Sequence, residues 1–169
     1  MSAHRKKSKQ KTVLVTISTL ALSAVSYMTA RAQVKVTCSQ KLYVGSHAAC
    51  GTGSLVINPD SSTMLSGCLV SSAPPQAGRC RVFSSPLAPT ASVVVTFTNT
   101  SINIVSGTST AKVDGFVMQH SGAATPKTQF TFTPTEVSNT VTLDIGGTFH
   151  FNKGLSLGTY TGNVTISAN

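Results

Sequence analysis

Four cysteines, Cys38, Cys50, Cys68 and Cys80, offer the most chemistry in this chain of 169 residues. They are even in number, and none belongs to a C-x-x-C pair. Structural zinc favours closely spaced ligand pairs, so this spacing points instead to two disulfides formed in an oxidising compartment. Three connectivities satisfy the count. Cys38–Cys50 with Cys68–Cys80 is the favoured one, because each pair brackets a short turn-rich segment, SQKLYVGSHAA and LVSSAPPQAGR. Cross-pairing between the two halves stays open.

The remaining reactive side chains do not assemble into a pattern. Beyond residue 32 the histidines are His47, His120 and His150. His150 stands between Phe149 and Phe151, so on a strand it faces the opposite, solvated side. An exposed structural role is the expectation, and no spacing brings two or three ligands together for a metal. The carboxylates Asp60, Asp114, Glu136 and Asp144 are widely separated. Glycoside hydrolysis needs two converging acids, and nothing in the order of these four suggests a pair. No G-x-S-x-G elbow, P-loop or dinucleotide fingerprint is present. The expectation is a protein that is not an enzyme and holds no cofactor or metal.

The elements that would position these residues begin after a distinctive front end. MSAHRKKSKQK is basic, TVLVTISTLALSAVSYM is uncharged and apolar or small, and TARAQ places Ala30 and Ala32 before Gln33. A basic start, a short apolar run and an A-x-A site describe a secretory signal peptide over residues 1–32, cleaved after Ala32. The apolar run falls short of the roughly 20 residues a membrane span needs, so no stable span is expected after cleavage. This leader carries six of the 13 Lys and Arg; residues 33–169 keep seven against four acids, a net charge of +3. Only Arg79 and Arg81 lie close together, without interleaved aromatics, so a nucleic-acid surface is excluded.

Residues 33–169 suffice for one domain with one core. With 40% hydrophobic and 10% charged residues, the chain lacks the composition of a disordered segment. Its dominant pattern has period two, bounded by Gly, Pro, Asn and Asp. GSLVIN puts Leu55 and Ile57 on one face, and PDSS turns after it. SGCLVS and CRVFS follow, separated by the break APPQAG. ASVVVTFTNTSINIV is the strongest strand signal, with Val93, Val95 and Phe97 on one side. AKVDGFVMQHS and TQFTFTP come next. NTVTLDIGG turns Val141, Leu143 and Ile145 inward and ends at a Gly-Gly turn, TFHFN adds Phe149 and Phe151, and a terminal strand closes the core with Tyr160, Val164 and Ile166. No long helix is expected. The fold class read from this spacing is an all-β sandwich of about seven to nine antiparallel strands.

Two blocks carry a family resemblance. GSLVINPDSSTMLSGCLV resembles the opening, and LDIGGTFHFNKGLSLGTYTGNVTISAN the end, of the domain-of-unknown-function family DUF4402. The more specific feature is Gly158, Tyr160, Gly162, which is similar to blocks in spore-coat-U-like proteins and chaperone–usher fimbrial subunits. The sequence departs from the family at Ser61, where the turn often holds Gly, and at Phe149, where Leu is usual. The resemblance implies a bacterial, exported, immunoglobulin-like β-sandwich and a class of role rather than a chemistry.

The expected function is therefore that of an exported structural protein, a pilin-like, surface-coat or adhesion subunit assembling by strand pairing. Its partners would be copies of itself and a periplasmic chaperone and usher, and its place the periplasm, cell surface or exterior. The donor strand would be the N-terminus, where QVKVT supplies Val34 and Val36 but Cys38 follows almost at once. That shortness favours the alternative, a self-contained secreted domain that binds a carbohydrate or host protein without polymerising.

Overall fold

The computed structural model describes residues 33–169. Ala30 and Ala32 of the expected cleavage site lie outside the described residues; Gln33 opens the first strand. The molecule is an antiparallel β-sandwich. Its larger layer is a seven-stranded sheet in which β1 (Gln33–Gln40), β6 (Gly78–Ser85), β11 (Val141–Phe151), β3 (Gly53–Ile57) and β4 (Thr63–Ser66) follow one another. The other edge of β11 pairs with β9 (Ser109–His120), which pairs in turn with β8 (Ser101–Ser106). Two three-stranded sheets complete the sandwich. One is β10 (Gln129–Phe132), β7 (Val93–Phe97) and β13 (Ile166–Ala168); the other is β12 (Gly158–Thr159), β2 (Ser46–Ala49) and β5 (Leu69–Ala73).

Period two explains most of these elements. Leu55 and Ile57 of β3, Val93 and Val95 of β7, and Phe130 and Phe132 of β10 are all buried, and residues between them are more exposed. The expected run from Ala91 to Val105 is two strands, β7 and β8, in different sheets. The break falls at Thr98-Asn99-Thr100, where the Asn99 side-chain oxygen accepts from the Thr165 amide at 3.1 Å. One turn of helix, α1 (Pro134–Ser138), follows β10. Thr133 caps it, Glu136 reaches back to the Thr133 amide at 2.7 Å, and Pro134 starts it, a complete capping box. Val137 anchors this turn in the core.

Gly146-Gly147 is no turn. Both residues lie inside β11, at the point where its edge changes partner from β6, ending at Ile145↔Gly78, to β3, beginning at Gly147↔Ile57. A Cβ on Gly146 would run into the Ile57 carbonyl oxygen and come within 3.0 Å of the Pro59 ring, so only glycine lets two strands share one edge in series. Opposite it, Gly115 (φ +56°) forms a β-bulge in β9. The bulge resets the inward phase from Ala111 and Val113 to Phe116 and Met118.

This partner change divides the core. One buried cluster holds Leu55, Ile57, Val113, Phe116, Phe149 and Phe151; the other holds Val82, Val95, Met118, Phe132, Leu143 and Ile145. Phe97 packs against both.

The disulfides join Cys38 to Cys80 and Cys50 to Cys68, which corrects the favoured local pairing. Cys38 and Cys80 are register partners across the β1–β6 ladder, and Cys50 and Cys68 close the loops flanking β3 and β4, with the Cys50 amide donating to the Cys68 carbonyl at 3.2 Å. Sheet register, not proximity along the chain, selects the partners.

Two outcomes are expected. A non-reducing peptide map of the oxidised chain yields Cys38–Cys80 and Cys50–Cys68 fragments, and replacing Cys38 and Cys80 by Ala lowers stability by about 4 kcal/mol in urea, given their 42-residue separation. Gly146→Ala, whose new methyl meets backbone that no rotamer relieves, lowers the urea midpoint by the equivalent of roughly 1–3 kcal/mol.

Candidate functional site, an open groove between the two half-cores

An open groove of about 810 Å³ lies where the two clusters meet, within the roughly 300–1,000 Å³ typical of binding clefts. Its floor comes from both, with Val113 and Phe116 from one and Cys80 and Ile145 from the other. One wall is β1 from Val36 onward with the following Lys41–Val44; the other is the C-terminal segment from Tyr160 to Ile166. β1 pairs only with β6 and β13 only with β7 among the described strands, so β1 and β13 run side by side in contact without a ladder between them. Each presents backbone N–H and C=O groups along a free edge. Lys41 is the one charged residue lining the groove.

The C-terminal segment explains the Gly158, Tyr160, Gly162 block. Instead of one continuous strand, the chain lies across β8 through the Val105↔Thr161 bridge and then crosses to pair with β7. Gly162 passes so close to β8 that a Cβ would stand 2.6 Å from Ile104 Cγ2 and 3.1 Å from the Asn103 carbonyl oxygen; Gly158 abuts Ser106. Between them Tyr160 turns into the core, and its hydroxyl donates to the Ser156 carbonyl at 2.8 Å. The three residues expected to close one core are thus divided. Tyr160 and Val164 pack in the first cluster, while Ile166 packs on the second.

Histidine placement differs from expectation in one case. His150 is exposed, as its alternation implies, and its Nε2 lies 2.7 Å from Asp114 Oδ1 while Lys112 Nζ lies 2.9 Å from Oδ2. These two partners hold the Asp114 carboxyl below its ordinary value, Lys112 contributing more. His120 sits edge-on to Phe130 and Phe132. His47, by contrast, is 1% exposed. Its Nε2 contacts the Val44 carbonyl oxygen, its ring stacks on Phe149, and its Nδ1 has no hydrogen-bond partner among the described residues. Burial holds its proton affinity below the ordinary histidine value. The available signal is that His47 shares the inward phase of β2 with Ala49.

Asp60 behaves as its turn implies, accepting from the Ser62 hydroxyl at 2.6 Å and the Ser62 amide at 2.9 Å, and these bonds, the hydroxyl's first, lower its pKa. Ser61, at the family's glycine position, has φ +67°, the conformation that glycine adopts without steric cost. Arg79 pairs with Asp144 at 2.6 Å on the outer face of the large sheet. Among the described residues no three His, Cys, Asp or Glu side chains are grouped to hold a metal, and no helix is long and apolar enough to cross a membrane.

Comparison with known proteins returns one match. The model of the family described as "Domain of unknown function (DUF4402)" covers residues 34–169. No curated protein and no solved structure matches the chain.

Gly162→Val tests the C-terminal crossing. The substitution forces Ile104 and the β8 backbone apart and is expected to cost roughly 1–3 kcal/mol in chemical denaturation, with increased proteolysis between Leu157 and Ile166.

Proposed function

The chain belongs to the DUF4402 family, and we propose that it is an exported structural subunit whose groove takes up an extended strand from a neighbouring polypeptide. One observation carries this reading. A groove with a buried apolar floor lies where the two half-cores meet, bordered by β1 and by the C-terminal segment leading into β13, and no ladder joins β1 to β13 among the described strands. An added strand gains main-chain hydrogen bonds from such an edge and sends alternate side chains inward, the physics of β-strand addition. Inward side chains here would join the two clusters into one core. Two disulfides support an oxidising compartment, and the leader-like residues 1–32 support export. Copies of the same chain, delivered by a chaperone and usher, are the proposed partners.

A second reading has its own observation. β1 is paired with β6 from Gln33 to Gln40 and crosslinked to it at Cys38–Cys80, so these residues are not free to serve as a donor strand. The chain would then accept a strand without donating one through β1, as a self-contained binding domain does.

Native mass spectrometry and electron microscopy of the exported, oxidised protein distinguish them, together with binding of a synthetic peptide of alternating valine and threonine. Oligomers, or a chain held by a chaperone, are expected, along with peptide binding that Val164→Lys weakens at least about tenfold by placing a charge on the groove wall. A monomer that binds the peptide supports the binding-domain reading. A monomer that binds no extended peptide overturns the groove's role.

A further inference from the structure

One wall of the groove is fixed by a side chain that the strand-accepting reading does not use. Leu42, Tyr43 and Val44 line the groove, and the chain then reverses at Gly45 (φ +91°) into β2. At its middle this wall is tied to the break after β5 by two backbone bonds. The Tyr43 amide donates to the Gln76 carbonyl at 2.9 Å, and the Gln76 amide donates to the Tyr43 carbonyl at 2.7 Å. At its end the wall is tied by His47, whose Nε2 lies against the Val44 carbonyl oxygen. The imidazole fills the space under the reversal. A Cβ on Gly45 would stand 2.5 Å from His47 Nε2 and 2.6 Å from the Ala73 carbonyl oxygen. The other side of the ring stacks on Phe149 at 6.1 Å between centroids.

We propose that His47 is a proton-operated latch on the Leu42–Val44 wall of the groove. A carbonyl oxygen only accepts, so the contact with Val44 sets the tautomer, with the proton on Nε2 and a bare lone pair on Nδ1. That Nδ1 is buried and faces no donor among the described residues. A second proton would leave a buried N–H without an acceptor and a charge in an apolar site, and the ring avoids both only by moving out.

Surrounding elements bring no anionic group that would offset this; the segment 152–155, bonded to Ala49 of β2, carries only Lys153, which is exposed. β2, β5 and β12 carry no other titratable residue. On β11, His150 and Asp144 alternate to the face opposite Phe149, and there each is paired, with Asp114 and Arg79 respectively. In the wall itself the titratable groups are Lys41 and Tyr43, and Tyr160 packs on the far side of Phe149. Burial, the larger effect, lowers the His47 proton affinity, and the Val44 contact opposes it. The folded chain therefore binds this proton less readily than the unfolded chain does. The latch is closed above the ordinary histidine value of 6.5 and is lost as the pH falls below it.

Hydrogen exchange of the oxidised chain tests the latch without any added strand. Between pH 7.5 and 5.5, Tyr43 and Gln76 amide exchange, corrected for intrinsic rates, is expected to rise about tenfold, the equivalent of one pKa unit. The rise should vanish in His47→Gln, whose amide reaches the Nε2 position but takes no proton. Constant protection in the wild type, or an equal rise in both proteins, overturns the proposal. If His47→Gln does not fold, the wild type alone decides. Its His47 imidazole titration, followed by NMR, must share a midpoint with the loss of protection, and separate midpoints overturn the latch. That the latch governs strand entry rests on the proposed function. Faster release of a bound valine–threonine peptide over the same pH step supports it, and constant release from an opening wall overturns it. A chain that opens its wall but binds no peptide at any pH counts against the groove's role and leaves the latch standing.

Discussion

Strand β11 is the constraint on which the other layers depend. Its inward residues, Leu143, Ile145, Gly147, Phe149 and Phe151, contribute to both half-cores, and three other strands, β3, β6 and β9, pair along its edges. The arrangement works because one residue in the middle of that inward row has no side chain. Gly147 lets Phe116 approach, its own Cβ position lying 3.2 Å from that ring, while Gly146 admits the end of β3. Two glycines in mid-strand cost conformational entropy, and burial of the phenylalanine pair on one side and Leu143 and Ile145 on the other offsets that cost. A continuous strand is thus combined with a discontinuous core.

The groove is the visible result of that discontinuity. The two small sheets share no ladder with each other among the described strands, and the groove lies beside the seam where β1 of the large sheet meets β13. The C-terminal segment crosses this gap as a thin strap, held to β8 by Gly158 and Gly162, which keep it too close to the sheet for side chains of any size. Two glycines thus hold an irregular strap beside a groove whose floor residues, Cys80, Val113, Phe116 and Ile145, are themselves buried. The Cys38–Cys80 crosslink commits β1 to its own sheet.

Much of this fold is legible from alternation alone. Leu55 and Ile57, Val93 and Val95, and Phe130 and Phe132 fall inward as period two requires, because each strand has one face on a core. What local rules misread are features determined by strands distant in sequence. Gly146-Gly147 has the signature of a turn, yet the end of β3 decides its role. Cys38 lies nearer in sequence to Cys50 than to Cys80, yet ladder register pairs it with Cys80. The run from Ala91 to Val105 reads as one strand because nothing local announces that its halves enter different sheets. Two signals were present in plain form. T-P-T-E at Thr133–Glu136 is a capping box, and the inward phase that buries Ala49 also buries His47. The groove itself had no sequence signature, since a seam is a property of how layers meet.

The Cys38–Cys80 bond also has a mechanical consequence. Tension applied between Gln33 and Asn169 passes through the crosslink from β1 directly into β6 and bypasses the chain between the two cysteines. Their separation of 42 residues corresponds to roughly 140–150 Å of extended chain that a pull between Gln33 and Asn169 cannot release while the bond is intact. β2, β3, β4 and β5, with the wall of the groove, lie inside that shielded length. Force carried between residues 33 and 169 would therefore extend other parts of the chain before it deformed that wall.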